Sequence, residues 1–183
     1  MLKIHNTYSN TIEEFKPNSE NVKIYLCGPT VQSSPHIGHG RSAVVFDFLI
    51  RYLFFLNYEV NFVRNITDIE DKIIERAEEE GITTIELADR VTKEFQDAYS
   101  GLNCLPPDNE PKATETIDHI INFIEDLIEK GYAYITQSGV YFEVGKFDDY
   151  LKLSGRNKDE VISGTRVDLE SDKKNTEDFA LWK

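Results

Sequence analysis

The stretch Cys-Gly-Pro-Thr-Val-Gln-Ser-Ser-Pro-His-Ile-Gly-His-Gly-Arg, residues 27–41, decides the fold class of this chain. It follows the apolar residues Ile24–Leu26, crosses a turn rich in Pro, Ser and Gly, and leads into a long apolar segment. Parallel α/β sheets build nucleotide sites at this place, where a strand ends and a helix begins. The stretch therefore predicts an α/β fold with a site for a phosphate-bearing ligand.

Three side chains in this stretch are candidates for the site. His36 and His39 lie at the predicted helix start, where unpaired backbone N–H groups and the helix dipole favour an anion. Cys27 ends the strand. A histidine in a turn is often only a surface residue, and a free cysteine is most often a small apolar residue of the core. The combination is more specific than a glycine pattern alone, and it predicts a polyphosphate site beside a thiolate.

The segments around this stretch predict one crossover unit. Val22–Leu26 and Glu59–Arg64 are predicted strands, and Arg41–Leu56 is a predicted helix between them. A strand, a helix and a strand in this order form a right-handed unit with parallel strands. The helix is apolar nearly all round, which predicts that it lies buried against the sheet.

The downstream half of the sequence predicts further helices and a hairpin. Asp68–Glu80 is an acidic helix, and a second helix capped by Thr83 or Thr84 has Leu87, Val91, Phe95 and Tyr99 on its inner face. Thr114–Lys130 is amphipathic and ends at Gly131. The short strands 132–136 and 140–144 then form a hairpin. Residues 1–20 are predicted as a short ordered arm, and Phe179 and Trp182 as core anchors of a last strand.

The composition is that of a soluble globular protein, with 40% apolar and 29% charged residues in 183. No apolar segment is long enough to span a bilayer, so no membrane partner is expected. Two cysteines do not make a disulfide framework, which predicts a reducing, cytoplasmic location. The net charge of −13 weighs against strong binding of RNA phosphates and favours a solvated acidic surface.

Five segments resemble one family, the cysteinyl-tRNA synthetases, which are class I aminoacyl-tRNA synthetases. The tetrapeptide His36-Ile37-Gly38-His39 is similar to the class I signature. Residues 62–74, Phe-Val-Arg-Asn-Ile-Thr-Asp-Ile-Glu-Asp-Lys-Ile-Ile, match a second family segment almost completely. Residues 140–144, 153–156 and 178–183 follow in the family's order, so the resemblance runs from Met1 to Lys183.

The resemblance implies a fold and a division of the chain. The fold is α/β, a Rossmann-like parallel sheet that is the amino-terminal half of the class I synthetase catalytic fold, with an α+β insertion. Residues 1–114 would form that half, 115–175 the insertion of a helix and a hairpin, and 176–183 the start of the return to the catalytic fold. Family members continue well beyond the match to Lys183, so we expect this chain to be inactive by itself.

The resemblance also implies an ATP site. His36 and His39 would be the catalytic residues, and they would bind ATP together with Thr30 and Gly38. Glycine at position 38 would let the adenosine approach the backbone, because a Cβ atom would intrude. For Thr30, a role in stabilising the turn is an equal alternative to phosphate binding.

The aminoacyl pocket and the metal site are implied in the same way. Gly28 and Thr67 would line the pocket for cysteine. Cys27 would be one ligand of a Zn²⁺ that separates the substrate thiol from a hydroxyl, since thiolates are strong zinc ligands and alcohols are poor ones. The other zinc ligands would lie outside this chain. Asp68, next to Thr67, is equally well explained as a helix cap.

The implied activity is that of a cysteine–tRNA ligase, which activates cysteine with ATP to cysteinyl-adenylate and transfers it to tRNA(Cys). The contacts with tRNA(Cys) would come from the carboxyl-terminal region that the resemblance does not cover. Two alternatives stay open: a related cysteine ligase with a small amino-sugar acceptor, and a truncated module without catalytic activity. The missing zinc ligands favour the last alternative for the isolated chain.

Overall fold

The structure is a computed structural model, and it describes residues 2–17, 19–156 and 172–183. It comprises two compact units, Pro17–Ile117 and a second unit formed by Met1–Lys16 with Asp118–Lys183. The strands are β1 (Lys3–Asn6), β2 (Thr11–Glu14), β3 (Asn21–Leu26), β4 (Glu59–Arg64), β5 (Ala133–Ile135), β6 (Val140–Phe142) and β7 (Phe179–Trp182). The α-helices are α1 (Ile37–Phe55), α2 (Asp71–Glu80), α3 (Thr84–Gly101) and α4 (Ile117–Glu129).

The Pro17–Ile117 unit is built on the parallel pair of β3 and β4. Leu26 at the end of β3 pairs with Arg64 at the end of β4, so both strands end at the same edge. Beyond this edge the pairing continues through a bridge between Thr30 and Thr67, where the Val31 N–H donates to the Thr67 carbonyl oxygen at 3.1 Å. The predicted order of strand, helix and strand and the parallel pairing are confirmed, and with them the α/β class.

Helix α1 differs from its prediction in two respects. It begins at Ile37 rather than Arg41, because His36 caps it. Only Ala43, Ile50 and Leu53 of this helix are buried, whereas Phe48 is 73% exposed and Phe55 is 78% exposed. The prediction of a helix buried against the sheet is therefore wrong for this structure. A single pair of strands covers one stripe of a helix and leaves its other faces uncovered.

Helix α3 supplies five of the ten residues in the main buried cluster of this unit. Thr83 caps it in a reciprocal capping box with Glu86, which confirms one of the two predicted caps. Its predicted inner face is buried, and it packs with residues of α1, α2 and the bridge segments. The buried residues of this cluster are Val31, Ala43, Ile66, Ile73, Ala77, Leu87, Ala88, Val91, Phe95 and Tyr99.

The start of α2 corrects the interpretation of Asp68 as a helix cap. Helix α2 is capped by Glu70, whose Oε2 accepts from the Lys72 N–H at 3.0 Å. Asp68 is 9% exposed and accepts from the N–H and the hydroxyl of Thr114. The carboxylate of Asp68 therefore fastens a distant segment of the chain, a partner that local sequence does not indicate.

The second unit contains two antiparallel sheets and α4. Residues 1–20, predicted as an arm, contain the hairpin of β1 and β2. The predicted hairpin of β5 and β6 is confirmed, and β7 pairs with β6 as the third strand. Phe179 and Trp182 are each 40% exposed, so their prediction as core anchors is wrong: on a three-stranded sheet these side chains face partly into solvent. The division at residues 114, 175 and 176 stays a prediction, and residues 157–171 lie outside the described part.

Asp178 is the polar centre of this second unit and is 2% exposed. Its Oδ2 accepts from the Tyr134 hydroxyl at 2.7 Å and from the Asn175 N–H at 3.1 Å, and its Oδ1 accepts from the Val144 N–H at 3.0 Å. Burial raises the pKa of Tyr134 from its ordinary 10.0 to about 12, and the Asp178 carboxylate that its hydroxyl faces contributes to this rise.

We expect this pair to give the second unit a pH dependence at alkaline pH. The folded state holds Tyr134 protonated, so its contribution to the free energy of unfolding is complete below pH 10 and is lost as the pH rises towards 12. Urea unfolding at a series of pH values between 9 and 12 measures this, with Tyr134→Phe as the variant and exposed Tyr8→Phe as the control. The decline should be shallower in Tyr134→Phe, and equal declines in all three proteins would contradict the expectation.

Candidate functional site

A cleft of about 330 Å³ lies at the edge where β3 and β4 both end. Five of the residues predicted for the site line it: Cys27, Gly28, Thr30, His36 and His39. Gly38 lies in the first turn of α1, between the two histidines. Thr67 is not among the described residues that line the cleft. Most of the predicted site residues are therefore brought together by the turn between β3 and α1.

Gly28 forms the floor of the cleft, where two backbone segments nearly touch. Its N–H donates to the Asn65 side-chain oxygen at 2.8 Å. A Cβ atom at position 28 would lie 1.6 Å from the Asn65 carbonyl oxygen and 2.7 Å from the carbon of that carbonyl. Only glycine permits the chain after β3 to approach the chain after β4 this closely.

His36 and His39 are joined by a reciprocal cap at the start of α1. The Gly38 N–H donates to Nδ1 of His36 at 3.1 Å, and the His36 N–H donates to Nδ1 of His39 at 3.2 Å. The two ring centroids are 3.9 Å apart, and the His39 ring lies nearly perpendicular to the Phe95 ring with 4.9 Å between their centroids. The first turn of α1 therefore fixes both imidazoles on one wall of the cleft.

Gly38 has a local steric role that the sequence pattern did not indicate. A Cβ atom at this position would lie 2.9 Å from Cε1 and 3.0 Å from Nδ1 of His36. The first distance is shorter than real Cβ contacts and the second is tighter than most of them, so the missing side chain makes room for the His36 ring to cap the helix. The expected approach of an adenosine to Gly38 stays a prediction.

His39 is the better shielded of the two histidines. Burial lowers the pKa of His39 below its ordinary 6.5, and the charge that His36 would acquire lowers it further. A lowered pKa means that the folded protein favours the neutral imidazole at this position. At neutral pH His39 is therefore a hydrogen-bonding group rather than a cation.

Arg64 is a residue of the cleft that the sequence analysis missed. It ends β4, is 5% exposed, and its guanidinium donates twice to Oε1 of Glu110, at 2.6 and 3.1 Å. Its Cζ lies 4.4 Å from the centre of the Tyr99 ring, which also lines the cleft. An arginine at the carboxyl end of a predicted strand was the available signal, because a strand end at this edge points towards the site.

Gln32 adds a second residue that the sequence analysis did not assign. It lines the cleft, and its Oε1 is buried without a hydrogen-bond partner among the described residues. A buried acceptor without a donor is destabilising by about 1–3 kcal/mol. The cleft therefore presents an acceptor that a ligand N–H group can satisfy.

The remaining predicted residues take separate places. The Thr67 N–H donates to the Pro29 carbonyl oxygen at 3.0 Å, and its hydroxyl accepts from the Asn65 amide at 3.3 Å. Cys27 is exposed on the cleft. No group of three or more His, Cys, Asp or Glu side chains within the described ranges could hold a metal ion. One thiol does not make a zinc site, and zinc ligation by Cys27 with ligands outside the chain stays a prediction.

Comparison with known proteins places this geometry in a family. The sequence profile described as "tRNA synthetases class I (C) catalytic domain" matches residues 14–183. The chain belongs to this family. The cleft is thus part of a class I tRNA synthetase catalytic domain, and its two histidines come from the tetrapeptide that carried the resemblance.

Three relatives show how much of a class I tRNA synthetase the chain covers. A cysteine–tRNA ligase of Methanococcus maripaludis is 53% identical over all of this chain and 39% of its own length. The cysteine–tRNA ligases of Vibrio atlanticus and Thermodesulfovibrio yellowstonii are each 50% identical over the whole chain and over 40% and 38% of their lengths. The chain therefore spans about two fifths of the curated relatives it matches.

None of the helices in the described ranges has the length and apolar character that a membrane crossing needs.

Proposed function

We propose that this chain supplies the nucleotide side of the active site of a cysteine–tRNA ligase. In this reaction ATP and cysteine form cysteinyl-adenylate, and the cysteinyl group passes to tRNA(Cys). The observation that carries the proposal is the pair of imidazoles, with centroids 3.9 Å apart, on one wall of a cleft at the edge of a parallel pair of strands. The names of relatives at about 50% identity support it.

The first step asks the protein mainly for position and for stabilisation of charge. The cysteine carboxylate attacks the α-phosphorus of ATP in line with the leaving pyrophosphate, and negative charge builds on the phosphoryl oxygens. His36 and His39 donate hydrogen bonds to those oxygens from a helix start, whose dipole also favours the anion. Thr30, on the same cleft, donates its hydroxyl to a phosphate.

The amino acid lies on the strand side of the same cleft. Gly28 gives it a floor without a side chain, and Cys27 stands beside it with its exposed thiol. Thr67 acts on this pocket through its backbone bridge to Thr30, which holds the floor in place. No step of the proposal depends on a metal ion.

The net charge of the chain indicates which of the reaction's ligands it can bind. The net charge of −13 makes the surface of residues 1–183 a poor one for RNA phosphates, because binding to nucleic acid depends on Lys and Arg. ATP and cysteine are therefore the ligands that the proposal gives to this chain. The contacts with tRNA(Cys) belong to other parts of the ligase.

The proposal is tested by joining this chain to the carboxyl-terminal part of the Methanococcus maripaludis relative and measuring exchange of pyrophosphate into ATP. We expect exchange that depends on cysteine and not on serine. Replacing His39 with Asn should lower kcat about 10²- to 10³-fold, the usual effect of removing one donor to a developing oxyanion. Exposed His119→Asn is the matched control.

Two outcomes of this experiment would contradict the proposal. One is an active fusion whose exchange does not depend on cysteine, and the other is an unchanged kcat in the His39→Asn variant. Charging of tRNA(Cys) in the same fusion separates a tRNA ligase from a ligase with an amino-sugar acceptor, since both catalyse the exchange.

A further inference from the structure

We propose that Gly38 is a positioning residue that acts through His36. It gives the His36 ring the space for a reciprocal cap, and this cap holds His36 and His39 as neutral imidazoles with the proton on Nε2. The part of this inference that concerns phosphate rests on the proposed function, because it names the groups that meet the ligand. The part that concerns the proton is a property of the chain without any ligand.

In both histidines the atom that accepts the capping hydrogen bond is Nδ1. Nδ1 of His36 accepts from the Gly38 N–H, and Nδ1 of His39 accepts from the His36 N–H. A ring nitrogen that accepts a hydrogen bond carries a lone pair and no proton, so the proton of the neutral ring is on Nε2. Both rings therefore have Nε2–H as their remaining donor, and both line the cleft.

The absence of a side chain at residue 38 leaves the space that this arrangement needs. A Cβ atom on residue 38 would be 2.9 Å from Cε1 of His36, so any other amino acid would push the ring away from its cap. Gly40, one residue beyond the pair, would meet only a methyl group of Leu102 at 3.1 Å, which a flexible side chain can accommodate. Gly101, at the end of α3, has nothing within 4 Å of such a Cβ. The steric demand on His36 is therefore specific to position 38.

A positive charge on either ring would be unfavourable in this arrangement. Protonation of Nδ1 would set an N–H group against the backbone N–H that now donates to it, and the cap would be lost. The positive end of the α1 dipole opposes the same charge. The two rings are 3.9 Å apart, so each would also repel the other. The lowered pKa of His39 agrees with this.

The other titratable groups of the cleft do not reverse this balance. Arg64, from the end of β4, is a cation whose charge is paired with Glu110. Tyr99, from α3, stays protonated because burial raises its pKa. Cys27, from the end of β3, is exposed to solvent. We therefore expect both Nδ1 atoms to stay bare in the cap, and the cap to open when acid protonates Nδ1 of His39.

The tautomers are measured by long-range ¹H–¹⁵N NMR of the imidazoles in the 183-residue chain without ligand. At pH 7.5 we expect His36 and His39 each to show a bare Nδ1 and a protonated Nε2. His5 and His119, both exposed, provide reference signals in the same spectrum. A proton on Nδ1 of His36 or His39, or a charged ring at this pH, would overturn the inference.

The role of Gly38 is measured with Gly38→Ala, and Gly101→Ala is the control. In Gly38→Ala the His36 signals should change to a mixture of tautomers, whereas Gly101→Ala should leave them as in the parent. Unchanged tautomers in Gly38→Ala would refute its positioning role. If Gly38→Ala does not fold, His39→Asn decides: an Asn side chain can accept from the His36 N–H, so the His36 ring should keep its bare Nδ1, and loss of that state would contradict the model of local capping.

Binding of inorganic pyrophosphate to the same chain tests the phosphate part. Neutral donors predict no tightening of Kd as the pH falls from 8 to 6. A Kd that tightens over this range would mean that charged imidazoles bind the anion. The NMR measurement needs no ligand, and the exchange assay of the fusion does not depend on which ring nitrogen carries the proton. Each experiment can therefore contradict its own proposal without affecting the other.

Discussion

Replacing Gly28 with alanine is expected to lower the free energy of unfolding of the Pro17–Ile117 unit by at least about 3 kcal/mol, the upper end of what overpacking costs. The added Cβ would lie 1.6 Å from the Asn65 carbonyl oxygen, an overlap with backbone that no rotamer can relieve. The segments after β3 and β4 must separate, and the hydrogen bond from the Gly28 N–H to Asn65 is then lost.

Urea unfolding followed by circular dichroism measures the effect of this substitution. A loss of this size should lower the midpoint by roughly 1 M urea or more. Gly101→Ala is the matched control, because alanine there meets nothing within 4 Å and should change stability by no more than about 1 kcal/mol. A Gly28→Ala variant with the midpoint of the parent would show that the two segments do not approach as described.

Replacing Arg64 with alanine is expected to cost about 3–5 kcal/mol, as is usual when one partner of a buried ion pair is removed. The side chains of Arg64 and Glu110 are 6% and 18% exposed, so solvent screens this pair very little. Alanine would leave the Glu110 carboxylate without its cation and would remove the guanidinium from the face of Tyr99.

Two comparisons separate the buried pair from ordinary charge effects. Lys93→Ala breaks an exposed pair with Asp97 and should cost no more than about 1 kcal/mol. Arg64→Met combined with Glu110→Leu removes both charges and should recover most of the loss. If Arg64→Ala unfolds at the same urea concentration as Lys93→Ala, the ion pair has no special weight in this unit.

Local patterns in the sequence were enough for the elements that local interactions determine. The bounds of β4 and the cap of α3 are decided by neighbours: polar and apolar residues that alternate from Glu59 to Phe62 in the first case, and Thr83 with Glu86 three residues later in the second. The wall of the cleft follows for the same reason, since His36 and His39 are one helical turn apart.

Local patterns could not indicate hydrogen-bond and ion-pair partners that are far apart in sequence. Arg64 finds Glu110 46 residues later, and Asp68 finds Thr114 at the same separation. A charge within a strand, or an acid before a helix, looks the same whether or not such a partner exists. The exposure of α1 has a similar cause, because the sequence shows how apolar the helix is but not how many strands are there to cover it.

The sequence separations across the cleft also bear on the order in which this unit folds. Helix α3 carries its own capping box, so its turns can form within a short segment of chain. The floor of the cleft instead requires Gly28 to meet Asn65 across 37 residues, and Arg64 to meet Glu110 across 46. Closing such loops lowers the entropy of the chain before the stabilising contacts have formed. We therefore expect the cleft to be completed last during folding, on a scaffold of helices already in place.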